Sequence, residues 1–338
     1  MPAAPQSPSQ SAPPSAPRPG PHSRPPLPRS PLAVVSFCVL AYALAWAVAS
    51  PMWLSGQGLD HPHQRLILQA MMLTPAIAAA IVLVATGHRR DILRVSALVP
   101  FRPAGRILRY CLYGLLVPVP LMGGAILLAA ATGGFPLDLA DFSGFRELAG
   151  PMGLVDPDGS GVPAGALALF GAIQLGGLLL SVPALLGEEW GWRGYLLPAL
   201  LPLGTWPALL LHGAVWGAWH APAVLLGYNL GRTDLLGVAM MTAWGVLLGV
   251  IVGWLRLGSG SVWPAVIGHG AINVASAWPI VFGDAGSGIA EASALPMPLW
   301  YAMGAAMLVM VGAGAVVQAV RSRRAAAPRD DAEPSSSR

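Results

Sequence analysis

The 338-residue sequence contains no lysine, and charged residues make up only 10% of the chain. Soluble domains usually carry about 25% charged residues. Hydrophobic residues reach 55%, and long apolar stretches recur along the chain. Only lipid or surrounding protein can cover stretches of that length, so the scarcity of charge excludes a soluble domain and indicates a membrane protein.

Cysteine is also scarce. The two cysteines, Cys38 and Cys111, both lie in apolar runs, and neither belongs to a CxxC motif or a similar cluster. A thiol in such a position usually behaves as a small hydrophobic side chain. The sequence therefore gives no sign of a cysteine-based metal or redox site.

Several catalytic patterns are missing from the apolar stretches. The chain has no HExxH motif for a zinc site on one helix, no serine in a GxSG setting and no pair of intramembrane aspartates. The glycine-rich stretches near 258–260 and 283–288 lack the strand–turn–helix context of a phosphate-binding loop. These absences argue against zinc, serine and aspartate chemistry of these three kinds and against nucleotide binding.

All nineteen basic residues are arginines, and the net charge is +4. Nucleic-acid binding is not indicated, because the arginines lie at the ends of apolar spans rather than on one polar face. With a cytoplasmic N-terminus, fifteen arginines, Arg256 among them, fall in cytoplasmic segments, and only Arg65, Arg146 and Arg232 fall in outer segments. This bias predicts that both termini are cytoplasmic. The Ala- and Arg-rich composition suggests a bacterial plasma membrane.

The apolar stretches predict an all-α, polytopic bundle of about eight transmembrane helices, because each stretch is close to the ~20 residues that cross a bilayer. The predicted spans are 32–54, 66–86, 108–132, 164–187, 206–228, 234–256, 262–283 and 297–320. We expect a disordered Pro/Ser-rich tail at 1–30, the helical bundle at 31–320 and a second disordered tail at 321–338. The acidic outer segment 133–163 is predicted to be a solvated loop with a short surface helix.

Ionisable residues are concentrated in one part of the bundle, residues 181–273. Polar side chains inside a membrane are costly and usually mark a functional site. Glu189 and Arg193 are spaced four apart, with the acid on the N-terminal side, which favours an ion pair on a helix. Glu188 is rotated by about 100° and is expected to project free into the bundle, where a carboxylate can take a proton from water. The alternative is a charge cluster at a helix end.

Two histidines occupy the next apolar span. His220 follows the Trp216-Gly-Ala-Trp sequence and has no acid nearby in the chain, so it is a catalytic candidate or a packed, hydrogen-bonded residue. His212 lies closer to the start of the span and is interpreted as structural.

The third element is His269-Gly-Ala-Ile-Asn273. A spacing of four places the His and Asn side chains on one helix face. Two such groups side by side are suited to bind a tetrahedral oxyanion. The alternative is an interhelical hydrogen-bonded pair.

Taken together, the three elements resemble the CPBP (Abi/CAAX protease) family, which includes the type II CAAX prenyl endopeptidases. The family pattern is EExxxR, FxxxH and HxxxN on successive core helices, and the resemblance covers about residues 165–285. The matching residues here are Glu188, Glu189, Arg193, Trp216, His220, His269 and Asn273. Trp216 stands where Phe is usual, which is interpreted as a conservative change.

The resemblance implies an intramembrane endopeptidase acting on peptide or protein substrates at the bilayer. Glu188 and His220 would activate water, and His269 with Asn273 would bind the oxyanion. Glu189 and Arg193 would hold the helix or position the substrate. The resemblance leaves zinc open as a cofactor, with Glu188, His220 and His269 as its ligands; we favour a metal-independent reaction.

Two other functions remain open on the sequence. One is a non-proteolytic scaffold or bacteriocin-immunity protein of the same family, and the other is a transporter, although paired repeats with broken helices are not evident. The predicted topology puts Glu188 at a cytoplasmic helix end and His220 deeper in the membrane. Catalysis requires a common depth, so we predict that Glu188, His220 and His269 converge.

Overall fold

The computed structural model describes residues 27–287 and 297–326 of the chain. Helices and turns make up these ranges, and the sole β-type pairing within them is an isolated bridge between Leu137 and Gly283. The predicted all-α class is therefore confirmed. Most of the two predicted tails, 1–26 and 327–338, lies outside the described residues, and the last helix continues to Ala326.

The α-helices follow one another closely in the first half of the described chain. They are α1 (Pro31–Leu54), α2 (Gln64–Met72), α3 (Thr74–Ala85), α4 (Ile92–Val95), α5 (Ala104–Leu116), α6 (Gly124–Ala131) and α7 (Ser143–Ala149). The second half contains α8 (Ala164–Glu189), α9 (Leu197–Leu200), α10 (Thr205–Trp219), α11 (Ala221–Val224), α12 (Leu235–Ser259), α13 (Trp263–Ala275), α14 (Trp278–Phe282) and α15 (Met297–Ala326). Short π-helices at Val119–Gly123 and Trp190–Leu196 join α5 to α6 and α8 to α9.

Seven helical segments within the described ranges are long and apolar enough to cross a membrane. They correspond to seven of the eight predicted spans and give a multi-pass helical bundle. The predicted span 206–228 differs, because α10 has 15 residues and is about 22 Å long, short of the ~30 Å hydrocarbon layer. This helix stops at His220 because Pro222 has no amide N–H to bond to the preceding turn. The single turn α11 follows.

The fourth span is longer than its sequence suggests. Helical structure is continuous from Ala164 to Leu203, although Pro183 lies inside α8. The π-helix at Trp190–Leu196 carries the chain through the charged motif into α9. The predicted position of Glu188 at a helix end is therefore wrong, because apolar residues such as those of α9 extend the span beyond the charges.

Glycines bring α10 and α12 almost into backbone contact. A Cβ atom added at Gly245 would lie 2.5 Å from the Cα of Gly217, and one added at Gly213 would lie 2.6 Å from the carbonyl oxygen of Gly245. Small residues at a helix interface permit this close approach in membranes. Because α10 ends at His220, its packing on α12 fixes the position of that histidine.

We expect Gly245→Ala to lower the free energy of unfolding by about 1–3 kcal/mol, because the added methyl group overlaps the α10 backbone. Gly176→Ala is the matched control, since a Cβ at Gly176 in α8 meets open space. Thermal unfolding of both variants in detergent micelles measures the difference. Equal melting temperatures for the two variants would contradict the close packing of α10 on α12.

The segment 133–163 is folded around one buried arginine. The expected short helix is present as α7, and Arg146 within it is 5% exposed. Its guanidinium donates hydrogen bonds of 2.7–3.2 Å to four backbone carbonyl oxygens, those of Asp141, Asp156, Ser160 and Gly161. These bonds satisfy carbonyls that no helix or strand would pair, so the segment has a defined structure.

Backbone hydrogen bonds hold the segment 133–163 against the C-terminal end of α14. The N–H of Asp138 donates to the carbonyl oxygen of Phe282, and the N–H of Gly144 donates to that of Gly283. The Asp138 carboxylate also accepts the backbone N–H groups of Asp141 and Ser143. These donors hold the pKa of the Asp138 carboxyl below its usual value.

Candidate active site

A buried ion pair lies within the fourth span. Glu189 and Arg193 are both fully buried, and Nη1 of Arg193 donates to Oε1 of Glu189 at 2.8 Å. This is the contact that the spacing of four residues predicts. A buried charge pair of this kind is stable only when the surrounding groups also bond to it.

His269 supplies a second bond to the same carboxylate. Its ring lies on α13, is 7% exposed, and has Nδ1 at 2.9 Å from Oε1 of Glu189. Because a carboxylate oxygen accepts, Nδ1 is the donor in this bond. Glu189 thus fixes the orientation of the His269 ring and leaves its Nε2 atom facing away from the ion pair.

Glu188 stands apart from the ion pair. Its carboxylate is 3% exposed, and its Oε2 atom accepts the indole N–H of Trp216 at 2.7 Å. The guanidinium of Arg193 lies over the face of the same indole, 4.1 Å from the ring centroid. The Glu189–Arg193 pair is as the sequence predicts, whereas Glu188, predicted to project free, is held by a neutral donor.

His220 occupies the break between α10 and α11. Its Nδ1 atom lies 2.9 Å from the carbonyl oxygen of Trp216. Since a carbonyl oxygen only accepts, Nδ1 carries the proton, and in the neutral ring Nε2 has the lone pair of a base. The ring also packs edge-on against Trp219, with centroids 4.9 Å apart.

Trp216 is the common contact of the candidate residues. Its ring centroid lies 5.4 Å from that of His269 and 5.8 Å from that of His220, and its N–H binds Glu188. Glu188 also lies close enough to both histidines to interact with them electrostatically. The structure thus gathers Glu188, His220 and His269 around one indole ring.

Residues 96–98 tie together the chain segments that carry Glu188 and His269. The side chains of Trp190 and Trp263 both donate to this segment, at 2.8 and 3.1 Å. Together with the contacts around Trp216, these bonds show that Glu188, His220 and His269 converge, as the sequence predicts.

Asn273 faces a different environment from His269. It lies one turn further along α13, is exposed, and lines a cleft of about 270 Å³ between α2, α8 and α13. Gln69, Gln174 and Ser181 line the same cleft, whereas Glu188, His220 and His269 are not among its lining residues. The Asn273 side chain makes no hydrogen bond to the part of the chain that the structure describes. The structure therefore does not bring Asn273 into contact with the cluster around Trp216.

Two further polar side chains surround the cluster. His212 is fully buried, and its Nδ1 lies 2.8 Å from the carbonyl oxygen of Leu209, consistent with its predicted structural role. Arg256 lies in the last turn of α12 and is 6% exposed. Its Nε donates at 3.0 Å to the carbonyl oxygen of Arg193, within the π-helix. The assignment of Arg256 to the cytoplasmic side stays a prediction.

The donor atoms do not form a metal-binding set. No three His, Cys, Asp or Glu side chains in the described residues are grouped as a metal ion requires. The hydrogen bonds use Oε2 of Glu188 and Nδ1 of each histidine, and the other possible ligand atoms, Oε1 and the two Nε2 atoms, lie outside these bonds. Because the three side chains are not grouped as a metal ion requires, they do not fit zinc in this arrangement, and no step of the proposed reaction passes through a metal.

The sequence did not reveal the roles of two residues, Trp216 and Arg256. A substitution of Trp for Phe at position 216 is not conservative here, because the indole N–H donates to Glu188 and a phenyl ring has no such donor. The sequence signal was the departure from the family pattern, because Trp216 places an indole N–H at a position where Phe is usual. Arg256 gave only the weaker signal of a single charge at the end of an apolar helix.

Comparison with known families agrees with the site. Residues 171–275 match the family model described as type II CAAX prenyl endopeptidase Rce1-like. The matched range contains all six predicted site residues and lies inside the range 165–285 to which the resemblance extended. The predicted resemblance is therefore confirmed over this part of the chain. No curated protein matches the sequence.

Proposed function

We propose that this membrane protein, whose residues 171–275 form an Rce1-like domain, is an intramembrane endopeptidase that hydrolyses peptide bonds with water activated by Glu188. The observation that carries the proposal is the separation of two adjacent buried glutamates. Glu189 is neutralised by Arg193, whereas the hydrogen bond that the described residues make to the Glu188 side chain comes from a neutral indole, so Glu188 remains available as a base. A buried carboxylate near two histidines is suited to general acid–base catalysis.

In the proposed reaction Glu188 takes a proton from water as the oxygen attacks the scissile carbonyl carbon. His220 holds the water through Nε2, the lone-pair atom left by the Nδ1 bond to Trp216. The C–N bond then breaks, and the protonated Glu188 returns its proton to the leaving nitrogen. Water is thus divided between the new carboxyl and amino termini, and the enzyme is restored.

The oxyanion is assigned to His269 on α13. Glu189 accepts from Nδ1 of His269 and stabilises the imidazolium form, whose Nε2–H then donates to the developing negative charge. The predicted second donor, Asn273, is left out of this assignment, because it lines a cleft to which His269 does not belong. The ion pair with Arg193 keeps Glu189, and through it the His269 ring, in place.

The substrate class proposed is a peptide or protein held at the bilayer. The candidate residues lie within helices that cross the membrane or join such helices, so a substrate reaches them from the membrane or its surface. CAAX processing gives the matching family its name. For this chain the proposal extends to membrane-associated peptides in general.

The test is digestion of a library of membrane-anchored peptides by the purified protein in lipid vesicles, with mass spectrometry of the new termini. We expect wild type and His63→Ala, a change in an exposed histidine between α1 and α2, to cleave at equal rates. His220→Ala and His269→Ala should cleave about 10²- to 10⁴-fold more slowly, the range for losing an acid–base or oxyanion group. No new termini with folded wild type, or unchanged rates in both histidine variants, would overturn the proposal.

A further inference from the structure

Trp216 is the residue around which the candidate site is built, although its position in the matched motif calls only for an aromatic ring. Its indole is 4% exposed and contacts four polar side chains at once. The N–H edge binds Glu188, one face covers the Arg193 guanidinium, and the ring packs against His220 and His269. A phenyl ring offers the face contacts but no hydrogen-bond donor.

The hydrogen bond from the Trp216 indole occupies one of the two oxygens of the Glu188 carboxylate. Oε2 accepts the indole N–H at 2.7 Å, a short distance typical of a charge-assisted hydrogen bond. The other oxygen, Oε1, is then the atom left to take a proton from water. Because an indole N–H only donates, Oε2 is the acceptor in this bond.

The same indole also contacts Arg193. The guanidinium is fully buried and pairs with Glu189, while its carbon atom lies 4.1 Å from the indole centroid. Trp216 therefore meets Glu188 at its N–H edge and Arg193 at its face, and the guanidinium donates a hydrogen bond to Glu189.

We propose that Trp216 is a positioning residue of the reaction, one that orients the Glu188 carboxylate through its indole N–H. This inference rests on the proposed function and adds a residue-specific requirement for an indole donor. His220 depends on the Trp216 backbone carbonyl rather than on the indole N–H. A side-chain change at 216 therefore tests the placement of Glu188 while leaving the hydrogen bond of His220 intact.

The deciding experiment compares Trp216→Phe with replacement of Trp216 by benzothienylalanine, which has the size of tryptophan but sulfur in place of the N–H. Both should lower kcat for a cleaved library peptide by about 10- to 100-fold with KM within twofold of wild type, since each loses one donor to a buried charged group. Trp206→Phe, a change on the same helix outside the site, is the matched control and should leave both constants unchanged. Unchanged kcat in the sulfur isostere would overturn the role of the N–H.

A second measurement does not depend on turnover. Dicyclohexylcarbodiimide modifies protonated carboxyl groups inside membranes, and mass spectrometry reports the labelling of Glu188 and Glu189 separately. We expect Glu188 to be labelled several-fold faster in Trp216→Phe than in wild type, with Glu189 unchanged as the internal reference. Equal labelling of Glu188 in the two proteins overturns the positioning role. Faster labelling in a protein that cleaves nothing supports the indole bond but overturns the proposed function.

Discussion

Glu188→Gln should lower kcat/KM for peptide hydrolysis by about 10³- to 10⁴-fold, the upper part of the range for loss of a general base. The carboxamide oxygen of glutamine can still accept the indole N–H of Trp216, so the side chain keeps its hydrogen bond. It has no basic oxygen to take a proton from water. We therefore expect an intact fold with almost no catalysis, measured by single-turnover cleavage in lipid vesicles and by thermal unfolding.

The matched control for this change is Glu147→Gln, the same substitution in α7 of the outer segment. It should cleave at the wild-type rate, because Glu147 lies outside the cluster around Trp216. Retention of a tenth or more of wild-type activity in Glu188→Gln would rule out Glu188 as the base. A large loss accompanied by unfolding would instead assign it a structural role.

Arg193→Met should lower the free energy of unfolding by about 3–5 kcal/mol, the usual cost of removing one partner from a buried ion pair. Arg193 is fully buried, and its removal leaves the Glu189 carboxylate inside the bundle with only His269 as a partner. An exposed ion pair would contribute at most about 1 kcal/mol. Thermal unfolding in detergent separates these two magnitudes.

A double-mutant cycle measures how much of the stability lost in Arg193→Met comes from the unpaired charge of Glu189. Glu189→Leu combined with Arg193→Met removes both charges and should be more stable than Arg193→Met alone, because a buried charge pair can often be replaced by apolar side chains. The double variant should still fail to cleave peptides, since His269 loses its acceptor. Additive losses of stability in the cycle would show that the two side chains do not interact.

The sequence by itself determined the class of fold and predicted most members of the candidate site. Apolar stretches of about twenty residues leave the backbone no hydrogen-bond partners except its own, so the all-α membrane bundle follows from composition and length. Helical periodicity likewise determined that Glu189 pairs with Arg193, because a spacing of four places both side chains on one face. Both the helical fold and the Glu189–Arg193 pair depend on geometry within a single helix, which the order of residues along the chain specifies.

The ends of the helices were harder to predict from the sequence than their existence. The fourth span continues to Leu203 because tertiary packing buries Glu189 and Arg193, whereas hydropathy alone ends the span at its first charges. The fifth predicted span is a shorter helix broken at His220, since Pro222 removes a backbone donor. The orientation of the termini remains a prediction from the arginine distribution.

Only the tertiary structure decided which groups meet. The bond from Trp216 to Glu188 joins residues 28 positions apart, and that from His269 to Glu189 joins residues 80 apart. Such contacts depend on how α8, α10 and α13 pack, and glycine contacts between α10 and α12 fix part of that packing. Periodicity within one helix carries no information on its neighbours. The sequence therefore determined which helices carry the polar residues, and packing determined that an indole binds one of the two neighbouring carboxylates while an arginine binds the other.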